Sequence, residues 1–160
     1  MAESAIRLDR TDLRLLTLLQ RDGRATNSDI AARINLSASA CLRRIQRLEA
    51  AGVIAGYGAW IDPKAVGLGL QAFVRVQLEK HGPSAIEHFV ERVQRWDEVV
   101  ACHALTGDMD YLLQVVVADL EHFSRFLLDK LLDASGVADI NSSFVLRTVK
   151  QARQLPIEPA

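Results

Sequence analysis

The sequence predicts an α+β protein with two parts, and two observations lead to that fold class. Residues 1–62 carry apolar positions at helical spacing in three short runs, whereas residues 70–150 alternate between strand-like and helix-like segments. The charges divide at the same place. The first 62 residues hold nine Lys and Arg against seven Asp and Glu, and the remaining residues hold ten against thirteen. Opposite balances in a chain whose net charge is only −1 indicate two separate tasks.

Three helices are predicted in the first part. The first runs from about residue 10 to residue 21 behind an Asp9 N-cap, the second begins at an Asn27 cap, and the third follows Ser37 and stops at Gly52. The joint at residues 35–37 is as short as a helix-turn-helix requires. The residues expected in a three-helix core are Leu13, Leu16, Leu19, Gln20, Ile30, Ala31, Ile34, Ala38, Cys41, Leu42, Ile45 and Leu48.

The third helix carries polar and cationic side chains opposite its apolar stripe. The residues on that side of a helical wheel are Ser39, Arg43, Gln46, Arg47 and Ala50, with Arg44 at the flank. A solvated charged surface is the plain alternative, but the face has no acidic partner before Glu49. Hydroxyl, amide and guanidinium groups contact base edges and phosphates. We therefore expect Ser39, Arg43 and Arg47 to contact bases or phosphates and Arg44 to contact the DNA backbone. Asn27 and Ser37 lie at helix N-termini, where capping is the expected main role and phosphate contact the alternative.

Residues 53–63 combine β-forming side chains with glycines, which predicts a short strand or wing after the third helix. Residues 1–62 are therefore predicted to form a winged helix-turn-helix DNA-binding domain. Residues 63–69 are rich in turn-forming residues and are predicted to be a hinge.

The second part, residues 70–150, follows the order β-α-β-β-α-β of a ferredoxin-like fold. Its first strand, residues 70–80, alternates strictly, and the third strand is almost entirely apolar and so is predicted to be central. The second helix is expected to bury Leu120, Phe123, Leu127 and Leu131. Helices cover one sheet face, and Phe73 lies on the other, which predicts a homodimer. Residues 151–160 are predicted to be a mobile tail.

Several function classes lack support in the sequence. There is no signal-peptide core, no apolar run of membrane-spanning length and no paired cysteine motif, so a reducing cytoplasm is expected. Cys102 and His103 are neighbours on a strand and point to opposite faces, so we expect no metal. No nucleotide-binding or hydrolase motif occurs, and we expect neither a cofactor nor an enzyme.

The sequence resembles the Lrp/AsnC (feast/famine) family of transcription regulators over nearly its whole length, and it is closer to the leucine-responsive branch. The resemblance rests on LDRTDLRLLTLLQRDGR, NLSASACLRRIQRLEAAGVIAGYGA and the following Asp62-Pro63, and in the second part on ACHALTGDMDYLL and SGVADINSSFVLRTVK. The pattern CHxxxGDxDYLL is specific, whereas the helix-turn-helix alone is much less so.

The resemblance implies a regulator whose second domain pairs through its sheet and assembles into tetramers or octamers. It also implies that a small effector, typically an amino acid, binds in clefts between the sensing domains of neighbouring subunits. The family's cleft residues correspond to Gly107, Asp108, Asp110 and Tyr111, and on the last strand to Ser142, Ser143 and Phe144.

The turn at residues 106–110 has a plain interpretation as a Gly/Asp turn between strands. As a ligand site, Asp108 or Asp110 would take an ammonium group, and turn amides around Gly107 would take a carboxylate. Met109 and Leu105 would line a side-chain pocket, and Thr106 completes the turn.

The sequence departs from the family at the third helix. Ala38 and Ala40 stand where prolines are common, the position of Arg43 is often acidic, and that of Gln46 is often basic, so base preference cannot be carried over.

Two alternatives stay open. One is an enzyme similar to sirohaem decarboxylases, and the other is an architectural protein that binds DNA without an effector.

Overall fold

The computed structural model describes residues 6–79, 83–134, 136–151 and 154–157, with only the backbone for residues 83 and 84. The chain forms two compact units. The first unit contains residues 1–60 together with residues 150–160, and the second contains residues 61–149. The helices of the first unit are α1 (Arg10–Arg21), α2 (Asn27–Arg33) and α3 (Ala38–Ala50).

Each of these helices begins at a side chain that caps it. Asp9 caps α1 and forms a reciprocal capping box with Asp12, in which the two backbone N–H groups donate to the opposite carboxylates at 3.0 and 2.8 Å. Ser37 caps α3, as the sequence predicted. The predicted Asn27 cap is wrong. The hydroxyl of Thr26 accepts the first-turn N–H at 3.2 Å, and Asn27 is already the first helical residue.

The three helices close a small apolar core, as predicted, but two of them are rotated from their expected orientation. Leu15 is fully buried, whereas the expected Leu13 is only half-buried. On α3 the core side is centred on Cys41 and Leu48, which leaves Leu42 46% exposed. Leu42 lies about 100° from Cys41 on the helix, so its predicted place in the core is wrong. The fully assembled core consists of Leu15, Leu16, Ile30, Ala31, Ile34, Cys41 and Leu48.

The segment after α3 forms no strand within the described chain, contrary to the sequence prediction. Gly52 ends the helix with a positive φ of 68°, and the N–H groups of Val53 and Ile54 then donate to the carbonyl of Leu48 at 2.9 and 3.2 Å. Val53 and Ile54 pack against the three-helix core. A strand needs a neighbouring strand to supply hydrogen bonds, and none lies beside residues 55–60 among the described residues.

The described part of the C-terminal segment packs against the first unit. The N–H of Leu155 donates to the side-chain oxygen of Gln20 at 2.6 Å, and the Gln20 amide donates back to the Leu155 carbonyl at 3.4 Å. Ile157 contacts the three-helix core. The expected mobile tail is therefore not observed for residues 154–157. Residues 152, 153 and 158–160, which belong to the same prediction, lie outside the described residues.

The second unit has the predicted βαββαβ order. The segment predicted to be a hinge contains a short 3-10 turn, Lys64–Val66, which ends at Gly67 with a positive φ of 80°. The following elements are β1 (Leu70–Leu78), α4 (Pro83–Val93), β2 (Val99–Ala104), β3 (Tyr111–Val117), α5 (Leu120–Arg125), a π-helical segment (Phe126–Leu131) and β4 (Val137–Phe144). The antiparallel sheet has the order β2-β3-β1-β4, so β3 is an inner strand as predicted.

Side chains alternate across this sheet. Val74 and Val76 of β1 and Leu113 and Val115 of β3 are fully buried under the helices. On the opposite face Phe73 is 37% exposed, with Val100 of β2 among the exposed residues. The sheet therefore has one covered face and one open, partly apolar face in the single chain.

The π-helical segment explains a wrong core prediction on the second helix. Leu120 is exposed rather than buried, whereas Phe126, which the sequence did not single out, is buried together with Leu131. Residues five apart lie about 140° apart on an α-helix, and the wider π turn brings them onto one face. Phe126 then contacts Trp96 edge-on, with ring centroids 5.6 Å apart.

Candidate DNA-binding and effector sites

The exposed strip of α3, defined as Ser39, Leu42, Arg43 and Gln46, faces away from the three-helix core. Arg43 is exposed and makes no hydrogen bond or ion pair within the described part of the chain. The Ser39 hydroxyl lies 3.2 Å from that of the Ser37 cap. This strip offers hydroxyl, amide and guanidinium groups on a rigid helix, the arrangement that contacts base edges in a major groove.

Arg44 and Arg47 are engaged inside the first unit. The Arg44 guanidinium donates to Asp12 Oδ1 at 2.8 Å and to Asp9 Oδ2 at 2.7 Å, and Arg47 donates to Asp12 Oδ2. Asp12 is fully buried, whereas the side chains of Arg44 and Arg47 are 29% and 45% exposed. We call Asp9, Asp12, Arg44 and Arg47 the Asp12 cluster. It gives two of the predicted DNA-contacting arginines a partner within the protein.

Mutual contacts shift the pKa values of the outer pair of this cluster. The backbone N–H of Asp12, followed by the Arg44 guanidinium, lowers the pKa of Asp9. Hydrogen bonds to Asp9 and then to Asp12 raise the pKa of Arg44, so its charge is permanent. Asp9 and Arg44 therefore both stay charged throughout the physiological pH range.

Asn27 joins the two helices of the helix-turn-helix. Its amide nitrogen donates to the carbonyl of Ala38 at 2.7 Å, which ties the start of α2 to the start of α3. Its amide oxygen is buried without a hydrogen-bond partner among the described atoms. Asn27 thus has a positioning role that differs from the predicted helix cap.

The turn between β2 and β3 contains the residues predicted to hold an effector. Leu105, Thr106, Gly107 and Asp108 are exposed, and Gly107 has a φ of 121°, which favours glycine. Met109 is buried to 8% exposure, so in the single chain it packs inward. The exposed residues of the turn are thus residues 105–108.

Asp110 forms hydrogen bonds to residues of the sheet and of the turn. Its carboxylate accepts the N–H of Leu78 at 2.7 Å, and its backbone donates to Val76 and accepts from Leu105. Tyr111 is also part of the interior, where its ring lies 4.8 Å from that of Phe89. Burial raises the pKa of the Tyr111 hydroxyl, with smaller contributions from its neighbours. Both residues support the turn in the single chain.

Ser142, Ser143 and Phe144 do not meet this turn within one chain. They pair with β1, which lies next to β3, and they occupy the far edge strand β4. All three are exposed, and Phe144 contacts Phe123 edge-on with centroids 5.0 Å apart. The two predicted parts of the effector site lie on opposite sides of strand β1.

The described residues contain no group of three potential metal ligands. A groove of about 960 Å³ lies in the first unit between α1, residues 53–60 and the C-terminal segment. Its lining is largely apolar. Burial raises the thiol pKa of both Cys41 and Cys102, so neither thiol is activated.

Sequence reasoning missed Asp12. Two signals were available. Asp9 and Asp12 have capping-box spacing, and Arg44 and Arg47, three residues apart, share one side of α3. Neither signal shows that these two segments, which are 32 residues or more apart in sequence, come into contact. Only the packing of the helices brings them together.

Comparison with known proteins gives consistent matches to both parts. Residues 8–55 match the winged helix-turn-helix DNA-binding family, and residues 71–155 match the Lrp/AsnC ligand binding domain. The leucine-responsive regulatory protein of Escherichia coli K12 is 38% identical over 151 residues, which cover 94% of this chain and 92% of that protein.

Two solved structures are similar throughout. A transcriptional regulator from Neisseria meningitidis in complex with L-methionine has a TM-score of 0.90 at 47% identity, over 94% of this chain and 97% of that one. The feast or famine regulatory protein from M. tuberculosis, complexed with L-methionine, has a TM-score of 0.84 at 35% identity, over 95% of this chain and 100% of that one. The matches confirm the predicted fold class and the resemblance. Within the described residues, we find no helix with the length and apolar character to cross a membrane.

Proposed function

Because this chain belongs to the Lrp/AsnC family of transcription regulators, we propose that it binds double-stranded DNA through α3 and responds to an amino-acid effector. The observation that carries the proposal is the exposed strip of α3. There Arg43, which has no partner among the described residues, lies between Ser39 and Gln46 on a capped helix. Its relatives are named as regulators, and we propose no catalytic role for this chain.

In the proposed complex, Ser39, Arg43 and Gln46 contact base edges in the major groove. A bidentate arginine–guanine contact contributes about 1–3 kcal/mol of discrimination. Ser37 and Asn27 position the helix, since the first caps α3 and the second ties it to α2. Arg44 and Arg47 lie beside this strip. Because both pair with Asp12, their role differs from that of Arg43.

The proposed effector site is the turn at residues 105–108, with a free amino acid as ligand. The carboxylate of Asp108 is exposed and suits an ammonium group, and the backbone around Gly107 suits a carboxylate. L-methionine is present in the two related structures described above, which favours an apolar side chain that packs near Leu105. Asp110 supports the turn through Oδ2, which accepts the Leu78 N–H, and its carboxylate keeps acceptor capacity for the ammonium group.

We propose that a second subunit completes this site. Ser142, Ser143 and Phe144 are separated from the turn by β1 in one chain, so they can contribute only from a neighbour. The open sheet face around Phe73 is the proposed homodimer surface, with dimers that assemble further into tetramers or octamers. Such a regulator acts in the cytoplasm, where its DNA is.

In the proposed mechanism, effector binding between sensing domains shifts an equilibrium of assembly states. That shift changes the spacing of the α3 helices and hence their fit to half-sites about one helical turn apart.

Fluorescence anisotropy with the DNA upstream of the protein's own gene, with and without each of the common amino acids, tests this proposal. We expect binding in preference to a scrambled duplex and an affinity change with one or a few amino acids, methionine included. Equal affinity for both duplexes, steep salt dependence and no amino-acid effect would identify an architectural protein instead.

Matched variants locate the effector site. Asp108→Asn is expected to weaken the effector response while DNA binding without effector is retained. Asp97→Asn removes an exposed carboxylate elsewhere in the second unit and is the control. An unchanged response in a folded Asp108→Asn protein contradicts the assignment of this turn.

A further inference from the structure

The Asp12 cluster divides the arginines of α3 into two kinds. Arg43 has no partner among the described residues, whereas Arg44 and Arg47 each donate to Asp12. A guanidinium that is paired with a carboxylate must lose that partner before it can fully neutralise a phosphate. The three arginines are close in sequence but differ in their availability to DNA.

Asp12 is well placed to hold both guanidiniums. Its Oδ1 accepts from Arg44, and its Oδ2 accepts from Arg47 and from the backbone N–H of Asp9 at 3.0 Å. Its own N–H donates to Asp9 at 2.8 Å, so the capping box fixes the carboxylate from both sides. Because Asp12 is fully buried, it cannot turn to solvent to release its partners.

We propose that Asp12 is a positioning residue that determines the specificity of DNA binding. It holds Arg44 and Arg47 back from the phosphates, so that the exposed strip with Arg43 supplies most of the contact between α3 and DNA. Phosphate contacts carry no sequence information and strengthen binding to every site equally. This inference rests on the proposed function, since it presupposes that α3 meets DNA.

The first test compares Asp12→Asn with the wild-type full chain by fluorescence anisotropy over a series of salt concentrations. The probes are a random-sequence duplex and a duplex that the wild-type protein enriches from a random pool. We expect Asp12→Asn to bind the random duplex several-fold more tightly. We also expect a plot of log affinity against log salt to steepen by about 0.9 for each guanidinium that gains a phosphate.

Asp22→Asn is the matched control, because it removes one negative charge from an exposed turn of the same unit without contact to α3. Its salt dependence should equal that of the wild type. If Asp12→Asn and Asp22→Asn shift the salt dependence equally, net charge alone explains the effect and the inference is overturned.

A second measurement needs no variant of Asp12 and so does not depend on its folding. Side-chain Nε resonances of the labelled wild-type protein are followed by NMR as the random duplex is added. We expect the Arg43 signal to shift while those of Arg44 and Arg47 keep their free-state positions. Equal shifts of all three signals overturn the inference but leave the proposed function intact. A wild-type protein that binds neither duplex overturns both.

Discussion

Each unit contains a carboxylate withdrawn from solvent that lies close to two basic side chains, but the partners differ. In the first unit, Asp12 is fully buried and holds two guanidiniums. In the second, Glu98 is 11% exposed. Lys130 Nζ lies 2.7 and 3.0 Å from its two oxygens, and His122 Nε2 lies 3.6 Å from Oε1.

The difference shows that the basic side chains around a carboxylate determine how rigid the resulting cluster is. Arginine is charged at every relevant pH and its planar donors fix a geometry, whereas an ammonium is a mobile point charge and an imidazole titrates. The Asp12 cluster is therefore a fixed frame that links α1 to α3. The Glu98 cluster, defined as Glu98, His122 and Lys130, is a more adaptable contact in the sensing unit.

The largest expected effect is that of Asp12→Ala. Loss of the buried carboxylate removes both guanidinium contacts and half of the capping box, and should lower the free energy of unfolding of the first unit by about 3 kcal/mol. Amide hydrogen exchange resolves the two units separately. Asp9→Ala, which removes the exposed carboxylate of the cluster, should cost only about 1 kcal/mol. Equal losses in the two variants would show that Asp12 is no more than a helix cap.

Lys130→Met should be less costly, because the Lys130 side chain is 43% exposed and His122 remains beside Glu98. We expect a loss of about 2 kcal/mol in the unfolding free energy of the second unit. Arg125→Met breaks an exposed pair with Glu121 one turn apart and is the control, at about 0.5 kcal/mol or less. A Lys130 effect no greater than that of Arg125 would mean that the Glu98 cluster is energetically an ordinary surface pair.

The stability of the protein at acid pH should differ between the wild type, which has Glu98, and a variant with a neutral side chain at this position. Burial is the largest single influence and raises its pKa, but Lys130, a backbone N–H and His122 together outweigh it, so the pKa of Glu98 lies below the usual value. A carboxyl whose folded-state pKa is depressed stabilises the protein above its unfolded pKa, and this stabilisation is lost as the pH falls through the folded value.

The second unit should therefore lose stability as the pH falls below about 4.5, and Glu98→Gln should flatten that part of the profile. Urea denaturation at a series of pH values measures both. Identical acid profiles for the variant and the wild type would contradict the depressed pKa.

The smallest expected effect is that of His122→Gln. At 3.6 Å, His122 lies beyond normal hydrogen-bond distance from Glu98, so the loss should be below about 0.5 kcal/mol at neutral pH. A loss as large as that of Lys130→Met, measured by the same denaturation, would show that His122 is an equal partner of Glu98.

The sequence predicted the order of elements and the covered sheet face because both follow from local periodicity. The alternation along β1 and the apolar run of β3 assign each residue to a face without reference to distant residues. The Ser37 cap is equally local. These are the features for which the relevant interaction lies within a few residues.

The errors arose where a contact between distant segments decides the outcome. The rotation of α3 that exposes Leu42 depends on how it packs against α1 and α2, and the π-helical turn that buries Phe126 depends on the sheet beneath it. Contacts between distant segments also place Arg47 beside Asp12 and the Asp110 carboxylate beside the Leu78 N–H, and no local pattern signals either contact. Helical wheels show which residues share a face but not what meets that face.

The contact of the C-terminal segment with α1 makes the first unit discontinuous along the chain. Gln20 binds Leu155, and Ile157 contacts the three-helix core, so the second unit is in effect inserted into the first. During synthesis the helices emerge early, but their core gains its last contacts only after the second unit has been made. The unit that comes first in the sequence is therefore the last to have all of its residues synthesised.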